Sequence, residues 1–598
     1  MTDQTIVFLV LGGLVVLFVW NRFPVELVAM GAALTLAATG VLSITDALSG
    51  FSDLTVIYIA ALFIVSEGID ATGVTTWAGQ QLSARAGDSQ RKAMVLMLLL
   101  VAVLTAIISV NGAVAALIPM VVIMALRTGQ SPSTLLVPLA FGAHAGSLLV
   151  LTGTPVHMLV TDAAVDAGEK GFNYFEFALV GIPVVIVSTL IITFLGPKVL
   201  PSRRIASAGA DLGDHARTLI NQYALEDWVV RLEVLPGSKG IGKAVDDIDW
   251  GRYPEVSLVG VQGARGRTFP TNQPVAAGFV ITVRGDAKEV ERFGSELGLK
   301  LLPGKTGGAL INRTIGAVEL IIPPRSPVVG QEVFPGMVTS HGDIVVLAIH
   351  RNGELETGSV FLAPGDMVLV QGTWEDLESS TEGAPVLVVD APDHVKRQAI
   401  ALSSGAKRAL LILVGMIVLL ATGVVHAAVA AIIAAGALIL TRVLTMKQAY
   451  RAVNWTTVVL VAAMIPMSQA VTESGAAKVI ADGLLDAVGD MGPYALLIGL
   501  FLVTAVFGQL ISNMATALIV IPIAITAAVD MGISVRPVLM AVTVAAAAAF
   551  LTPVATPANL MVMQPGGYKF NDYWKLGLPL LILFGLASVF LVPLFWPF

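Results

Sequence analysis

The stretch Gly508-Gln509-Leu510-Ile511-Ser512-Asn513-Met514-Ala515-Thr516-Ala517, running on to Pro522, lies deep in hydrophobic sequence yet carries two amides and two hydroxyls. Polar groups at membrane depth must find partners, so they line a cavity and do not face lipid. An earlier stretch answers it: Ile107-Ile108-Ser109-Val110-Asn111-Gly112-Ala113-Val114-Ala115-Ala116, reaching Pro119. Asn111 and Asn513 stand 402 residues apart.

That offset recurs. Thr55-Val56 faces Thr457-Val458, Ser66 with Gly73 faces Ser468 with Gly475, and Thr154-Pro155-Val156-His157 faces Thr556-Pro557-Ala558-Asn559, all at 402. After a short length difference, Gly171-Phe172 with Gly181 and Pro183 faces Gly567-Tyr568 with Gly577 and Pro579. Several polar, Gly and Pro matches in one register indicate an internal duplication.

The composition agrees with a membrane protein. The 598 residues are 56% hydrophobic and only 13% charged, against about 25% charged in an average soluble domain. Apolar runs are expected to span near 4–20, 24–44, 54–72, 93–108, 134–151 and 178–197, with broken segments around Asn111 and Pro155. The pattern returns from about 408, with spans near 409–425 and 427–441. The run Ile6 to Trp20 lacks a basic flank and a small-residue cleavage site, so it reads as a retained span. Without cysteine there is no disulfide or thiol chemistry. No basic stripe or aromatic platform supports nucleic-acid binding.

Between the hydrophobic halves, from about 202 to 400, charge, Gly and Pro rise and short alternating runs appear. The expected division is a membrane repeat over 1–205, two small α/β domains over 206–305 and 306–395, and a second membrane repeat over 396–598. In the insert, Glu233-Val234-Leu235-Pro236-Gly237-Ser238 with Gly242 is similar to Glu319 through Ser326 with Gly330. Gly278-Phe279 and Gly365-Asp366 each precede a β-run.

Loop charge sets the orientation. Lys198, Arg203 and Arg204 precede the insert and Lys396, Arg397, Lys407 and Arg408 follow it, which places it in the cytoplasm. The loop with Arg442, Lys447 and Arg451 is then inside, whereas its counterpart Thr45–Asp53 has no Lys or Arg and falls outside. Arg85, Arg91 and Lys92 mark an inside loop whose counterpart carries Asp482, Asp486 and Asp490. Corresponding loops fall on opposite sides, the inverted-topology repeat of secondary transporters. The N-terminus is outside in this reading.

Four segments therefore converge, around Asn111, Thr154-Pro155, Asn513 and Thr556-Pro557. Proline interrupts helical hydrogen bonding and frees carbonyls. A helix that restarts there presents N–H groups carrying roughly half a positive charge, suited to an anion. The freed carbonyls and amide oxygens suit a hard cation such as sodium. No Lys or Arg lies nearby, which favours a small oxyanion or dicarboxylate over a bulky polyanion.

These motifs, with Thr152-Gly153-Thr154-Pro155, Ser512-Asn513-Met514-Ala515-Thr516, Thr552-Pro553-Val554-Ala555-Thr556-Pro557-Ala558-Asn559 and the tail Pro565-Gly566-Gly567-Tyr568-Lys569-Phe570, resemble the divalent anion/sodium symporter family of the ion-transporter superfamily. The insert resembles a tandem pair of TrkA C-terminal domains, a layout that points to the sulfate-permease-like branch; its first copy lacks the Gly-Asp pair. The resemblance implies a polytopic α-helical membrane protein with re-entrant hairpins, a Ser-Asn-Thr motif at each hairpin tip, and a likeness in function to sodium-coupled symport of a small divalent anion, sulfate before dicarboxylate. Ser109, Asn111, Gly112, Ser512, Asn513, Met514 and Thr516 would meet substrate. Asn111, Thr152, Gly153, Thr154, Asn513, Thr552, Ala555 and Thr556 would hold sodium. It also implies a homodimer in the cell membrane, with a small regulatory ligand on the insert as a further expectation and no organic cofactor.

The first tip departs from the motif, with Val110-Asn111-Gly112 in place of Ser-Asn-Thr. His157 stands where the second half has Asn559 and is the candidate for proton coupling, since imidazole titrates near neutrality. His157 and His144 read otherwise as satisfied interior histidines. Glu67, Asp70 and Glu473 read as span ends, with proton relay the alternative, and His426 as a solvated turn residue. An oxyanion exporter or cation/proton antiporter of the same superfamily is the alternative within transport. A channel or receptor gated by the insert is disfavoured by the paired broken segments. An enzyme is disfavoured by the absence of a His-Glu-x-x-His or Gly-x-Ser-x-Gly motif.

Overall fold

The computed structural model describes residues 2–20, 22–86, 89–127, 131–203, 405–488 and 492–598. In the insert it describes 229–254, 256–263, 268–269, 271–285, 287–301, 315–324, 326–333, 344–351, 354–356, 360–374, 376–377 and 386–388. The domain boundaries expected at 205, 305 and 395 lie outside these residues. The chain forms two compact units, Met1–Gly209 with Gly405–Phe598, and Ala210–Ser404.

The first unit is helical. Its first half comprises α1 (Asp3–Trp20), α2 (Val25–Ala38), α3 (Ile44–Ala47), α4 (Leu54–Asp70), α5 (Val74–Ala86), α6 (Gln90–Ile107), α7 (Val110–Arg127), α8 (Leu136–Gly146), α9 (Pro155–Asp166) and α10 (Ala178–Val199). After the insert helix α11 (Ala287–Leu297), the second half comprises α12 (Ala406–Thr422), α13 (Ala427–Leu440), α14 (Met446–Ala452), α15 (Trp455–Glu473), α16 (Ala476–Val488), α17 (Pro493–Leu510), α18 (Asn513–Asp530), α19 (Val535–Ala547), α20 (Pro557–Met563) and α21 (Tyr573–Leu586). Among the described residues, eight helical segments are long and apolar enough to cross a bilayer. The span expected near 24–44 is shorter, because α2 has only 14 residues, whereas α13 matches the run expected near 427–441. At the end of α2, Gly40 takes a positive φ of 81° and breaks the helix before the apolar run is exhausted.

Two helix pairs are interrupted rather than continuous. Between α17 and α18, Ile511 is extended (φ −126°, ψ 170°), and Ser512 caps α18 by accepting from the Ala515 N–H at 3.2 Å. Between α6 and α7, Ser109 adopts φ 154°, a backbone rare outside glycine. Its hydroxyl accepts from the Gly112 N–H at 3.2 Å. The Ser66 hydroxyl donates to the freed Ile108 carbonyl at 3.0 Å.

Each half then carries an extended loop that ends in a threonine and a proline. Thr154 (φ −151°, ψ 146°) precedes α9, and Thr556 (φ −146°, ψ 153°) precedes α20, with Pro155 and Pro557 at the first helical position. Both loops are pinned by a glycine one helix further on, Gly181 of α10 and Gly577 of α21. A Cβ on Gly181 would lie 2.1 Å from the Leu148 carbonyl oxygen, and one on Gly577 would lie 2.2 Å from that of Phe550. Only glycine permits the approach.

The halves also exchange polar contacts. Glu169 accepts from the Ser534 hydroxyl at 2.8 Å and from the Val535 N–H at 2.7 Å, and Glu176 pairs with Arg536 at 2.6 Å. In return Arg203 pairs with Asp572 at 2.7 Å, and the Tyr568 hydroxyl donates to the Ser133 carbonyl at 2.5 Å. Loop residues of each half thus satisfy the start of a helix belonging to the other or its immediate flank.

The second unit holds two five-stranded antiparallel sheets. One is ordered β3-β2-β4-β1-β5, from β1 (Val229–Val234), β2 (Val256–Gln262), β3 (Thr268–Phe269), β4 (Val280–Gly285) and β5 (Leu299–Leu301). The other uses β6 (Ile315–Ile321), β8 (Ile344–Arg351), β9 (Glu354–Glu356), β11 (Met367–Thr373) and β12 (Leu387–Val388) in the order β9-β8-β11-β6-β12. A two-stranded pair, β7 (Glu332–Val333) with β10 (Val360–Phe361), is interleaved with its strands in sequence. The two larger sheets share one strand order, and each has its own apolar core. The Gly365-Asp366 pair of the second sheet has a structural use. Asp366 receives Arg351 in a bidentate ion pair at 2.9 and 2.7 Å, and the guanidinium holds the carboxyl below the usual carboxylate range. Phe279 occupies the matching position in the first sheet, so the ion pair has no counterpart there.

Candidate functional site

The helix tips and the threonine loops meet at one cavity of about 400 Å³. Ser109 and Asn111 line it from the first tip, and Ser512, Asn513 and Met514 from the second. Thr152, Gly153, Thr154 and Pro155 approach from the first loop, and Thr556 and Pro557 from the second. Stretches more than 400 residues apart in sequence thus share one space. Among the described residues, no charged side chain lines it.

The tips explain how an uncharged cavity can receive an anion. Helix N-termini leave backbone N–H groups without intrahelical acceptors. At the second tip, Ser512 takes the Ala515 N–H, the Asn513 side chain takes the Met514 N–H at 3.0 Å, and the Asn513 N–H has no acceptor among the described residues. At the first tip, Ser109 takes the Gly112 N–H, and the Asn111 side chain makes no hydrogen bond among the described residues. Both asparagine side chains are half-buried. Two helix dipoles therefore point their positive ends into a partly dehydrated space, where such charge is least screened.

Ser109, one residue ahead of the motif position, caps α7 as Ser512 caps α18. The caps stand 403 residues apart, so Asn111 is the second residue of its helix and Asn513 the first. The unusual φ of Ser109, with Ser66 holding the Ile108 carbonyl, absorbs the one-residue difference.

The loops differ in what they leave free. The Thr154 hydroxyl makes no hydrogen bond among the described residues and lines the cavity, an oxygen available to a hard cation. The Thr556 hydroxyl contacts His144 Nε2 at 3.0 Å and accepts from the Asn559 N–H at 3.4 Å. The Thr152 hydroxyl is engaged with the Ala106 carbonyl and the Tyr174 hydroxyl, each at 3.0 Å.

Four residues assigned to the site from sequence do not line the cavity. The buried Thr516 turns its hydroxyl back onto the Ser512 carbonyl at 3.0 Å and braces the tip. The Thr552 hydroxyl donates to the Gln509 carbonyl at 3.1 Å. Ala555 is buried behind its loop, and Gly112 packs against the Ser109 hydroxyl.

His157 also lies away from the cavity. It is fully buried, stacks on Phe177 at 4.1 Å, and its Nδ1 lies 2.9 Å from the Val150 carbonyl. Asn559 makes the corresponding bond, donating to the Thr552 carbonyl at 3.1 Å and also to that of Ala549 at 2.7 Å. Donor and acceptor both stand at the 402-residue offset, so imidazole and amide perform one task, closing the loop ahead of the helix.

Asn454, Thr456 and Thr457 at the start of α15 line the cavity as well, with Val25 and the α4 residues Ile59, Leu62 and Phe63. Sequence reading missed them as site residues. The one signal was the Thr55/Thr457 repeat match, because a polar helix start reads simply as a cap; Asn454 does cap α15, accepting from the Thr457 N–H at 3.1 Å.

The geometry is that of a solute-binding chamber in a helical membrane body, and known proteins agree. An uncharacterized transporter of Escherichia coli (strain K12), YfbS, is 33% identical over 600 residues, covering 98% of each chain. An uncharacterized transporter of Synechocystis, sll0640, is 28% identical, covering 97% of this chain and 95% of its own. A sodium/sulfate cotransporter of Chlamydomonas reinhardtii, number 2, is 26% identical over 400 residues, covering 62% of this chain and 44% of its own. The citrate transporter family model (CitMHS) matches residues 15–544 and 492–598. The chain is therefore a multi-pass membrane transporter, not an enzyme, and it belongs to the citrate transporter family.

Proposed function

We propose that this chain is a sodium-coupled symporter of a small divalent anion, with sulfate the first candidate and a dicarboxylate such as succinate the second. The observation that carries this reading is the uncharged cavity into which both helix N-termini and both threonine loops face. The N–H dipoles and the asparagine amides complement the anion. The Thr154 hydroxyl and the loop carbonyls complement sodium, and each bound ion offsets the charge of the other. The sodium/sulfate cotransport named for a relative favours sulfate.

In this reading the halves are an inverted repeat that alternates access to the cavity, and the chain works as a homodimer in the cell membrane. The insert is a cytoplasmic pair of TrkA C-terminal-like domains open to a small regulatory ligand. Val25, Asn454 and Thr456 line the cavity at the helix ends next to Arg22 and Arg451, so the cavity faces the cytoplasm.

Uptake of radiolabelled sulfate and succinate into proteoliposomes tests the proposal. An inward sodium gradient should drive one of them above its equilibrium level. Failure of both to accumulate under a sodium gradient would reject sodium-coupled symport of these anions.

His157 acts as a loop clamp in this account, not as a proton carrier. His157→Asn, which copies the second half, is expected to keep the uptake rate within about threefold of the parent and to leave its pH profile in place. A shifted or flattened pH profile in that variant would restore the proton-coupling role.

A further inference from the structure

One hydrogen bond joins the two kinds of helix that flank the cavity in the first half. At the start of α4 the Asp53 side chain accepts from the Thr55 N–H at 2.7 Å, which fixes the position of Thr55. The Thr55 hydroxyl donates to Asp162 of α9 at 2.6 Å. Helix α9 is the one that begins at the Thr154 loop, so this bond ties the loop's helix to α4.

The same offset of 402 leads from Thr55 to Thr457 and from Asp162 to Gln564. Thr457 is in the first turn of α15, as Thr55 is in that of α4. Gln564 follows the last residue of α20, the helix that begins at the Thr556 loop. Here the contact is absent among the described residues. Thr457 lines the cavity, Gln564 is exposed, and neither side chain makes a hydrogen bond among the described residues.

We infer that Thr55–Asp162 and Thr457–Gln564 are the two alternating latches of the transport cycle, the first closed here and the second closed in the opposite-facing state. The inference rests on the inverted-repeat transporter reading, in which each half adopts in turn the conformation now held by the other. A contact made in one half and open in the other then marks the two ends of a single motion. The chemistry suits both latches, since a threonine hydroxyl can donate to a carboxylate or to an amide oxygen. They are unequal, because a bond to a carboxylate is about twice as strong as one between neutral groups. The resting equilibrium therefore favours the state with Thr55–Asp162 closed. The four residues are positioning residues, acting through helix placement.

The cysteine-free chain makes the test direct. Thr55→Cys with Asp162→Cys, and separately Thr457→Cys with Gln564→Cys, are introduced into the full-length protein in membrane vesicles. Each pair is treated with a short thiol cross-linker, and monodisperse elution checks folding. Both pairs are expected to link. Adding Asp162→Ala to the second pair should raise its linking rate by about tenfold, because the competing latch is gone. A second pair that stays unlinked in both backgrounds while the first links would overturn the proposal, as would a linking rate indifferent to Asp162→Ala. The readout needs no substrate. A failure of anion uptake would therefore count against the transport reading, and a failure of linking against the latches.

Discussion

Asn513→Ala is expected to reduce sodium-driven anion uptake by about a hundredfold or more while leaving the protein folded. Its amide faces the cavity from the first residue of α18, and its hydrogen bond among the described residues is the local one to the Met514 N–H. Truncation therefore removes little from the fold, of order 1 kcal/mol or less. In the loaded state the same amide would meet an anion and a cation in a space without charged side chains. Losing hydrogen bonds to charged groups there costs about 3 kcal/mol, close to the predicted hundredfold. Initial uptake rates, normalised to protein that elutes as a single species, check the expectation. Parental uptake in the variant would remove Asn513 from the site.

Gly153→Ala is expected to be the most damaging single methyl group in the first loop. The added Cβ would lie 2.0 Å from the Ser147 carbonyl oxygen and 2.8 Å from its carbon, both backbone atoms that cannot rotate away. The loop is wound into two successive short turns, Ser147–Leu149 and Leu151–Gly153, whereas the second loop has one, Pro553–Ala555. The tighter path explains why Ala555 is tolerated at the matching place. Relief requires moving Thr154 and the start of α9, so uptake should fall with stability. Overpacking of this kind costs about 1–3 kcal/mol or more. Gly508→Ala is the control, because nothing lies within 4 Å of its Cβ position. Replacing this glycine in the last turn of α17 should leave the melting temperature unchanged or raise it. Equal melting temperatures for Gly153→Ala and the parent would contradict the packing described here.

The sequence made the functional segments legible because membrane sequence has a quiet background. Against long apolar runs, Ser512-Asn513, Asn111 and the two Thr-Pro pairs stand out, and one offset links them. The cavity brings those same segments together. What stayed hidden depends on backbone geometry. Ser109 stands out in the sequence, but its role as a helix cap works through a positive φ and a one-residue change of register. Thr516 and Thr552 match the pattern expected of ligands, yet their hydroxyls face carbonyls of their own half. A hydroxyl close to a freed carbonyl satisfies it, and that choice is invisible without coordinates. The lining residues of α15 belong to a helix that reaches the cavity only through tertiary packing. In the insert, the repeated Gly before each β-run marked the two sheets, but the identical strand order needed the pairing itself.

Anion and sodium are expected to meet at one place, the cavity between the two helix tips. The most direct measurement is a structure of the protein in lipid with sodium and selenate, whose anomalous scattering locates the anion. Selenate is expected between the tips, within hydrogen-bonding distance (about 2.7–3.2 Å) of the Asn513 amide, with sodium beside the Thr154 hydroxyl. Selenate bound only at a place lined by neither Asn111 nor Asn513 would contradict it.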